Sequence, residues 1–218
     1  MTASRFVFPA LVPPPRTFYD PPMPDTLPAV AEPKRRATYD DVLAAPAHQV
    51  AEIVDGELVL SPRPAVPHAR ATTVLGAELG GAFDREGGDP VRPGGWWLLD
   101  EPELHLGDDV VVPDIAGWRR DRLARLPNTP WTDLAPDWLC ETLSPSTARI
   151  DRGSKVGIYA RAGVRHLWLV DAQARTLEVL ELRADGHYLI AAVHTGDDRP
   201  RAEPFAAIEL DLARLWLD

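Results

Sequence analysis

The spacing of apolar residues changes period several times along the chain, and each change predicts an element. Thr38 stands as an N-cap before Tyr39-Asp40-Asp41-Val42-Leu43, with Asp41 at the capping-box position, so a short helix opens the patterned region. Glu52-Ile53-Val54-Asp55-Gly56-Glu57-Leu58-Val59-Leu60 places two strands around an Asp-Gly turn, where glycine tolerates the positive φ of a tight hairpin; Pro62 and Pro64 end that ladder. From His68 to Phe83, Ala71, Val74, Leu75, Leu79 and Ala82 or Phe83 recur at helical spacing and form one stripe to lay against a sheet. Gly87-Gly88 and Pro93-Gly94-Gly95 bracket a turn region before the strand-like Trp96-Trp97-Leu98-Leu99. Leu104-His105-Leu106 and Val110-Val111-Val112 make a further hairpin around Gly107-Asp108, and Pro113 stops ladder donation beside Asp114.

Further on, Trp138-Leu139-Cys140-Glu141-Thr142-Leu143 is apolar apart from Glu141 and Thr142, as in a strand covered on both faces. Ser144-Pro145-Ser146-Thr147 closes it and offers helix caps. The next helix, from Asp151 to Ala162, ends at Gly163, whose missing Cβ suits a left-handed C-cap. Arg165 to Val170 and Thr176 to Leu182 form another hairpin, and Asp185-Gly186 turns into His187 to Val193. Hairpins outnumber helical crossovers, which predicts an α/β domain with a curved mixed β-sheet flanked by helices rather than a regular βαβ wind.

With 218 residues, 45% of them hydrophobic, the chain can bury one substantial core. That domain is expected over residues 38–218, after a proline-rich N-terminal extension over 1–37. There Pro13-Pro14-Pro15, Pro21-Pro22 and Pro24 resist helix and central strand. The extension is either a surface-draped tail or an arm that wraps a partner subunit through Phe6, Val7, Phe18 and Tyr19. No run of eighteen apolar residues occurs and no long apolar stretch follows the start, so neither a membrane span nor a secretory signal is expected and the cytoplasm is the default location. The single cysteine, Cys140, has no internal disulfide partner and lies in an apolar run, where a thiol packs as a small hydrophobe.

The formal charge of -10 argues against non-specific coating of nucleic acid. Local charge decides contact, however, and the strip Arg149, Arg152, Lys155, Arg161 and Arg165 can hold phosphates within a Debye length of roughly 10 Å.

Candidate chemistry centres on three residues. Asp114 follows an apolar strand and Glu141 lies inside one, and burying a carboxylate is costly unless it is paired or bound to metal. On neighbouring strands the two can share one Mg2+ or Mn2+ ion, whose oxygen-rich shell also accepts a backbone carbonyl such as that of Thr142. Such an ion polarises phosphate and lowers the pKa of water. Lys155, on the helical face of Asp151 and Tyr159, can neutralise charge on a five-coordinate phosphate or orient the attacking water. Glu52 is either a further metal carboxylate or a supporting group behind one. The bland alternative makes Asp114 a loop residue, Glu141 a strand-edge charge and Lys155 an ordinary surface cation.

Several of these segments carry a resemblance. Glu52-Ile53-Val54-Asp55-Gly56-Glu57-Leu58, Pro113-Asp114, the run Glu141 to Thr147, Asp151-Arg152-Gly153-Ser154-Lys155, Tyr159-Ala160-Arg161-Ala162-Gly163-Val164 and Leu167-Trp168-Leu169-Val170-Asp171 resemble the Uma2 family of the PD-(D/E)XK restriction-endonuclease-like superfamily. The resemblance implies a restriction-endonuclease-like core, with Asp114 and Glu141 as paired metal ligands and Glu52 near the first carboxylate position. The superfamily pattern puts lysine two positions after the second acid, where this chain has Leu143; Lys155 looks like that positive residue relocated to the helix. The resemblance further implies a metal-dependent endonuclease, DNA as its substrate and association as a homodimer.

Other constellations add little. His68 precedes a helix beside Arg70, and a structural or supporting role suits it, with phosphate contact and helix capping as its other readings; the remaining histidines are scattered without zinc-ligand spacing. Trp96, Trp97, Trp138 and Trp168 sit in strand-like runs that favour core packing or a subunit interface over base stacking, with Trp118 and Trp131 less settled. The glycine pairs match no phosphate loop, and Ser144 lacks the Gly-x-Ser-x-Gly elbow. Two other functions stay open: a non-catalytic nucleic-acid-binding or dimerisation module on a nuclease scaffold, and a hydrolase of small phosphate esters. Groove shape separates them, since a duplex needs a broad groove and a short ligand a closed pocket.

Overall fold

A computed structural model describes residues 35–216 of the chain, so the extension expected over residues 1–37 lies outside the described residues up to residue 34. The first element is helix α1 (Tyr39–Leu43), started by the expected capping box: the Asp41 carboxylate accepts the Thr38 N–H at 2.7 Å. Strands β1 (Gln49–Val54) and β2 (Glu57–Pro62) form the Asp-Gly hairpin, with Asp55 at φ 52 and Gly56 at φ 83, the two positive values that a tight turn of this kind demands. Helix α2 (Val66–Phe83) buries the stripe Ala71, Val74, Leu75, Leu79, Ala82 and Phe83. Strands β3 (Trp96–Asp100), β4 (Glu103–Leu106), β5 (Asp109–Val111), β6 (Ile115–Arg119), β7 (Trp131–Thr132) and β8 (Trp138–Leu143) follow. Helix α3 (Ala148–Ile150), a π-helical turn (Asp151–Lys155) and helix α4 (Val156–Arg161) then run on as one helical segment that stops at Gly163, φ 78. Strands β9 (His166–Asp171), β10 (Thr176–Leu182) and β11 (Tyr188–Thr195) precede an irregular C-terminal stretch with one 3-10 turn (Leu212–Arg214).

These strands build two mixed sheets where the sequence suggests one. The five-stranded sheet has the order β2-β1-β5-β4-β7 and the six-stranded sheet the order β11-β10-β9-β8-β6-β3, each with a single parallel pair, β4 with β7 and β8 with β9. The separation occurs at Val112-Pro113-Asp114: Pro113 has no N–H to continue the ladder, and the chain leaves one sheet as β5 and enters the other as β6. The expected helix from Asp151 begins earlier, at Ala148, and contains the π turn.

Side-chain parity divides the interior into two layers. Trp138 and Cys140 of β8 face a core made with α2 and the C-terminal stretch, while Leu139 and Leu143 face a core shared with the five-stranded sheet and α4. Trp96, Trp118, Trp138, Trp168 and Trp216 are buried, which settles Trp118 as core; Trp131 is 36% exposed and stacks on His105 at 4.4 Å. Cys140 is fully buried, and burial raises its thiol well above the usual range. Among the described residues no helix is long and apolar enough to cross a membrane.

Phe205, which follows no strand or helix signal, fills the centre of the first core, with its ring 4.7 Å from Phe83, 4.9 Å from Trp96 and Trp138, and 5.7 Å from Trp168. Truncating it removes the shared partner of four aromatic rings. Phe205→Ala should therefore lower the unfolding free energy by about 3–5 kcal/mol in urea titration; a loss under about 1 kcal/mol would show that the C-terminal stretch is not part of this core.

Candidate active site

The site grows from the end of β8. Its neighbour β6 pairs with it antiparallel through Ile115 opposite Cys140, so continuing that register by one residue sets Asp114 opposite Glu141. The strand expected beside Glu141 was the one before Asp114; the actual neighbour is the one after it. Beyond the last backbone pair the Asp114 side chain takes over the ladder: the Thr142 N–H donates to Oδ2 at 2.6 Å. The other oxygen, Oδ1, lies 2.7 Å from His68 Nε2 on α2. Because N–H and C=O of one extended residue leave the same edge of a strand, the Thr142 carbonyl also opens toward Asp114. The Thr142 hydroxyl turns instead to α2, 2.9 Å from the Thr72 hydroxyl.

Glu141 shares the face of Leu139 and Leu143, and Lys155 meets it there. The ammonium, 2% exposed, stands 2.7 Å from Glu141 Oε1, 2.9 Å from Glu52 Oε1 and 3.7 Å from Asp151 Oδ1. The Tyr159 hydroxyl donates to Glu141 Oε1 as well. Glu52 is fixed by the Val112 N–H, which donates to Oε1 at 2.8 Å just past the end of β5. Each sheet therefore supplies one carboxylate to Lys155, and the helical segment after β8 supplies the cation, a third carboxylate and the phenol.

Three carboxylates, Glu52, Glu141 and Asp151, thus face one ammonium, and Asp114 lines the same cleft. Burial pushes Glu141 up to about 8, with Lys155 acting to lower it and Asp151, Asp114 and Glu52 adding to the rise. Asp151 is raised for the same reason, chiefly burial. Burial acts to lower Lys155, but the surrounding Glu141, Tyr159, Glu52 and Asp151 outweigh it and hold the ammonium well above its usual range. The buried Tyr159 phenol is likewise driven well above its own, by burial and by the Glu141 charge.

These groups line a cleft of about 270 Å3 together with His68, Arg63 and Glu101. A larger cleft, about 680 Å3, opens beside the two hairpin turns, where Asp55 and Asp109 are held by Arg161 at 3.1 and 3.2 Å; the smaller one has five acidic groups, Glu52, Glu101, Asp114, Glu141 and Asp151, in its lining. Among the described residues no three histidine, cysteine, aspartate or glutamate groups converge on one ion position. The donor set still suits a hard cation, because Asp114, Glu141 and the Thr142 carbonyl offer oxygen, and Mg2+ commonly uses one or two carboxylates, water and substrate phosphate rather than a closed protein cage. Excess negative charge in the cleft points the same way.

All four acidic and basic residues singled out from the sequence line this one cleft. Lys155 and Glu141 are buried rather than exposed, so the surface-cation and strand-edge alternatives do not describe them: the two groups meet each other across the cleft. The arginine strip does not form. Arg152 and Arg165 pair with Glu178 at 2.6 Å and Glu181 at 3.5 Å on β10, and Arg161 pairs with Asp55 and Asp109 at the hairpin turns. Asp151 and Tyr159 were visible only as helical neighbours of Lys155, and the bond between His68 and Asp114 had no local signal, since 46 residues separate them.

The raised Glu141 has a measurable sign. Glu141 binds a proton more tightly in the folded chain than an ordinary carboxyl near 4.5, so this contribution to stability is complete at low pH and is lost as pH rises toward about 8. In chelator-treated protein the unfolding free energy should fall between about pH 5 and pH 8, and Glu141→Gln, which cannot ionise, should flatten the decline. Equal slopes for the two proteins in urea titrations across this range would contradict the assignment.

Comparison with known proteins matches this architecture. No curated protein matches the chain. The crystal structure of a putative nuclease belonging to DUF820 from Anabaena variabilis ATCC 29413 superposes with a TM-score of 0.66 at 21% identity, over 82% of this chain and 97% of that one. The family model Uma2, described as "Putative restriction endonuclease", matches residues 37–213. The fold is restriction-endonuclease-like, and the chain belongs to the Uma2 family.

Proposed function

We propose that this protein is a metal-dependent endonuclease that hydrolyses phosphodiester bonds, with DNA as its substrate. The observation that carries the reading is the convergence of Glu52, Asp114, Glu141 and Lys155 on one cleft, drawn from both sheets and the following helix. Asp114, Glu141 and the Thr142 carbonyl would hold Mg2+ or Mn2+. Bound there, the cation would polarise a phosphate and lower the pKa of a water. Lys155, kept cationic by its carboxylates, would offset the negative charge that grows on phosphorus oxygens as the fifth bond forms. Glu52 anchors Lys155 and leaves Glu141 to serve both cations. Association as a homodimer belongs to the same reading, and the edge strand β11, with Leu189, Ile190 and Val193 about half exposed, is a surface suited to it.

The cleft volume of about 270 Å3 keeps hydrolysis of small phosphate esters as a second reading. Leu143, buried where the superfamily pattern has lysine, motivates a non-catalytic binding module as a third.

Purified protein with Mn2+ or Mg2+ should cut at least one of supercoiled, linear duplex, single-stranded or branched DNA. Asp114→Asn, Glu141→Gln and Lys155→Ala should each lose about 100-fold or more in rate. Cleavage of bis(p-nitrophenyl) phosphate but of no DNA would move the assignment to the small-ester reading. No hydrolysis of either substrate, with DNA affinity unchanged in Glu141→Gln, would replace catalysis by binding.

A further inference from the structure

His68 stands outside the acidic and basic groups assigned above, yet it holds one of them directly. Its Nε2 is 2.7 Å from Asp114 Oδ1, with the two side chains 13% and 14% exposed. This is not helix capping: the N-cap of α2 is Ala65, a proline occupies the first turn, and the imidazole reaches across to another element. Four residues later on the same helical face, Thr72 reaches the hydroxyl of Thr142, and the Thr142 N–H in turn donates to Asp114 Oδ2. The contacts close a ring that runs from His68 to Asp114, to Thr142, to Thr72 and back along one turn of helix.

The ring fixes the plane of the Asp114 carboxylate. One oxygen is held from β8 and the other from α2, whereas the terminal torsion of a free aspartate is broad. A carboxylate accepts along about four lone-pair directions, so each oxygen keeps an acceptor direction for a cation. A carboxylate oxygen accepts, so Nε2–H is the donor, and among the described residues the buried Nδ1 has no hydrogen-bond partner.

We infer that His68 is a positioning residue, whose Nε2–H holds the Asp114 carboxylate in the orientation that receives a divalent cation between β6 and β8. The inference rests on the metal reading of the cleft given above. It adds a member from α2, an element that supplies none of the cleft's carboxylates. Outer groups that orient a ligating carboxylate typically change metal affinity by about 10–100-fold when removed.

The test uses the full chain and two readouts. Titration with Mn2+, followed by electron paramagnetic resonance of the free ion, should show His68→Ala binding about 10–100-fold more weakly than the parent. His68→Gln places an amide N–H near the position of Nε2–H and should restore most of the affinity, while the shorter His68→Asn should behave like alanine. In metal-free protein, the Thr142 amide proton should shift in the alanine and asparagine variants and stay in place in glutamine, because its acceptor is the carboxylate that His68 orients. Unchanged Mn2+ affinity in His68→Ala, or asparagine matching glutamine, overturns the inference. Should the parent bind no Mn2+, the metal reading itself fails, and the Thr142 amide then decides the positioning of Asp114 alone: an unmoved resonance overturns that too.

Discussion

Lys155 is an ammonium with 2% of its surface exposed, and the architecture around it answers to that one charge. Removing an ion from water costs several kcal/mol, and a lone carboxylate at a few ångströms recovers an amount of the same order, about 4 kcal/mol at 4 Å with an effective dielectric near 20. One partner therefore leaves little margin. The chain provides Glu141 at 2.7 Å and Glu52 at 2.9 Å, with Asp151 further off at 3.7 Å. Because Glu52 comes from one sheet and Glu141 from the other, the ion contact also bridges the two sheets where Pro113 has ended the backbone ladder. The carboxylates overshoot: with Asp114, which lines the same cleft, they outnumber the ammonium.

The same surplus explains why the cleft sits at an end of the sheets. In the middle of β8 every residue is enclosed on both faces, and further negative charge would have no outlet. At its end, β6 no longer covers the strand, so the Thr142 N–H and carbonyl face a side chain and the cleft instead of a neighbouring backbone. Parity then assigns the tasks. Glu141 points to the layer of Lys155 and Tyr159, and Thr142 points to α2 with His68 and Thr72. Two adjacent residues of one strand thereby connect opposite sides of the sheet to one cleft.

Much of the fold was legible because its signals are local. The Asp55-Gly56 and Gly107-Asp108 turns, the Thr38 to Asp41 capping box, the apolar stripe of α2 and the Gly163 stop are each set by a few consecutive residues. What escaped depends on tertiary contact. Strand β6, Ile115-Ala116-Gly117-Trp118-Arg119, has weak alternation because all but its last residue are buried, and Gly117 dilutes any strand propensity. The π turn at Asp151–Lys155 has no sequence period of its own. The division into two sheets needed the observation that β5 pairs with β1 and β6 with β8, although Pro113 marked where it would fall. For the site, the unusual carboxylate inside an apolar strand was the readable clue; the His68 contact was not, since a histidine at a helix start has many ordinary uses.

The proposed chemistry needs Asp114, just before β6, and the end of β8 to hold one cation together. The most direct measurement is a crystal soaked in Mn2+ and recorded at a wavelength where manganese scatters anomalously. The account predicts a difference peak bonded to Asp114 and Glu141 carboxylate oxygens and facing the Thr142 carbonyl. A peak bonded to neither carboxylate, or none at saturating Mn2+ with the cleft open to solvent, would contradict it.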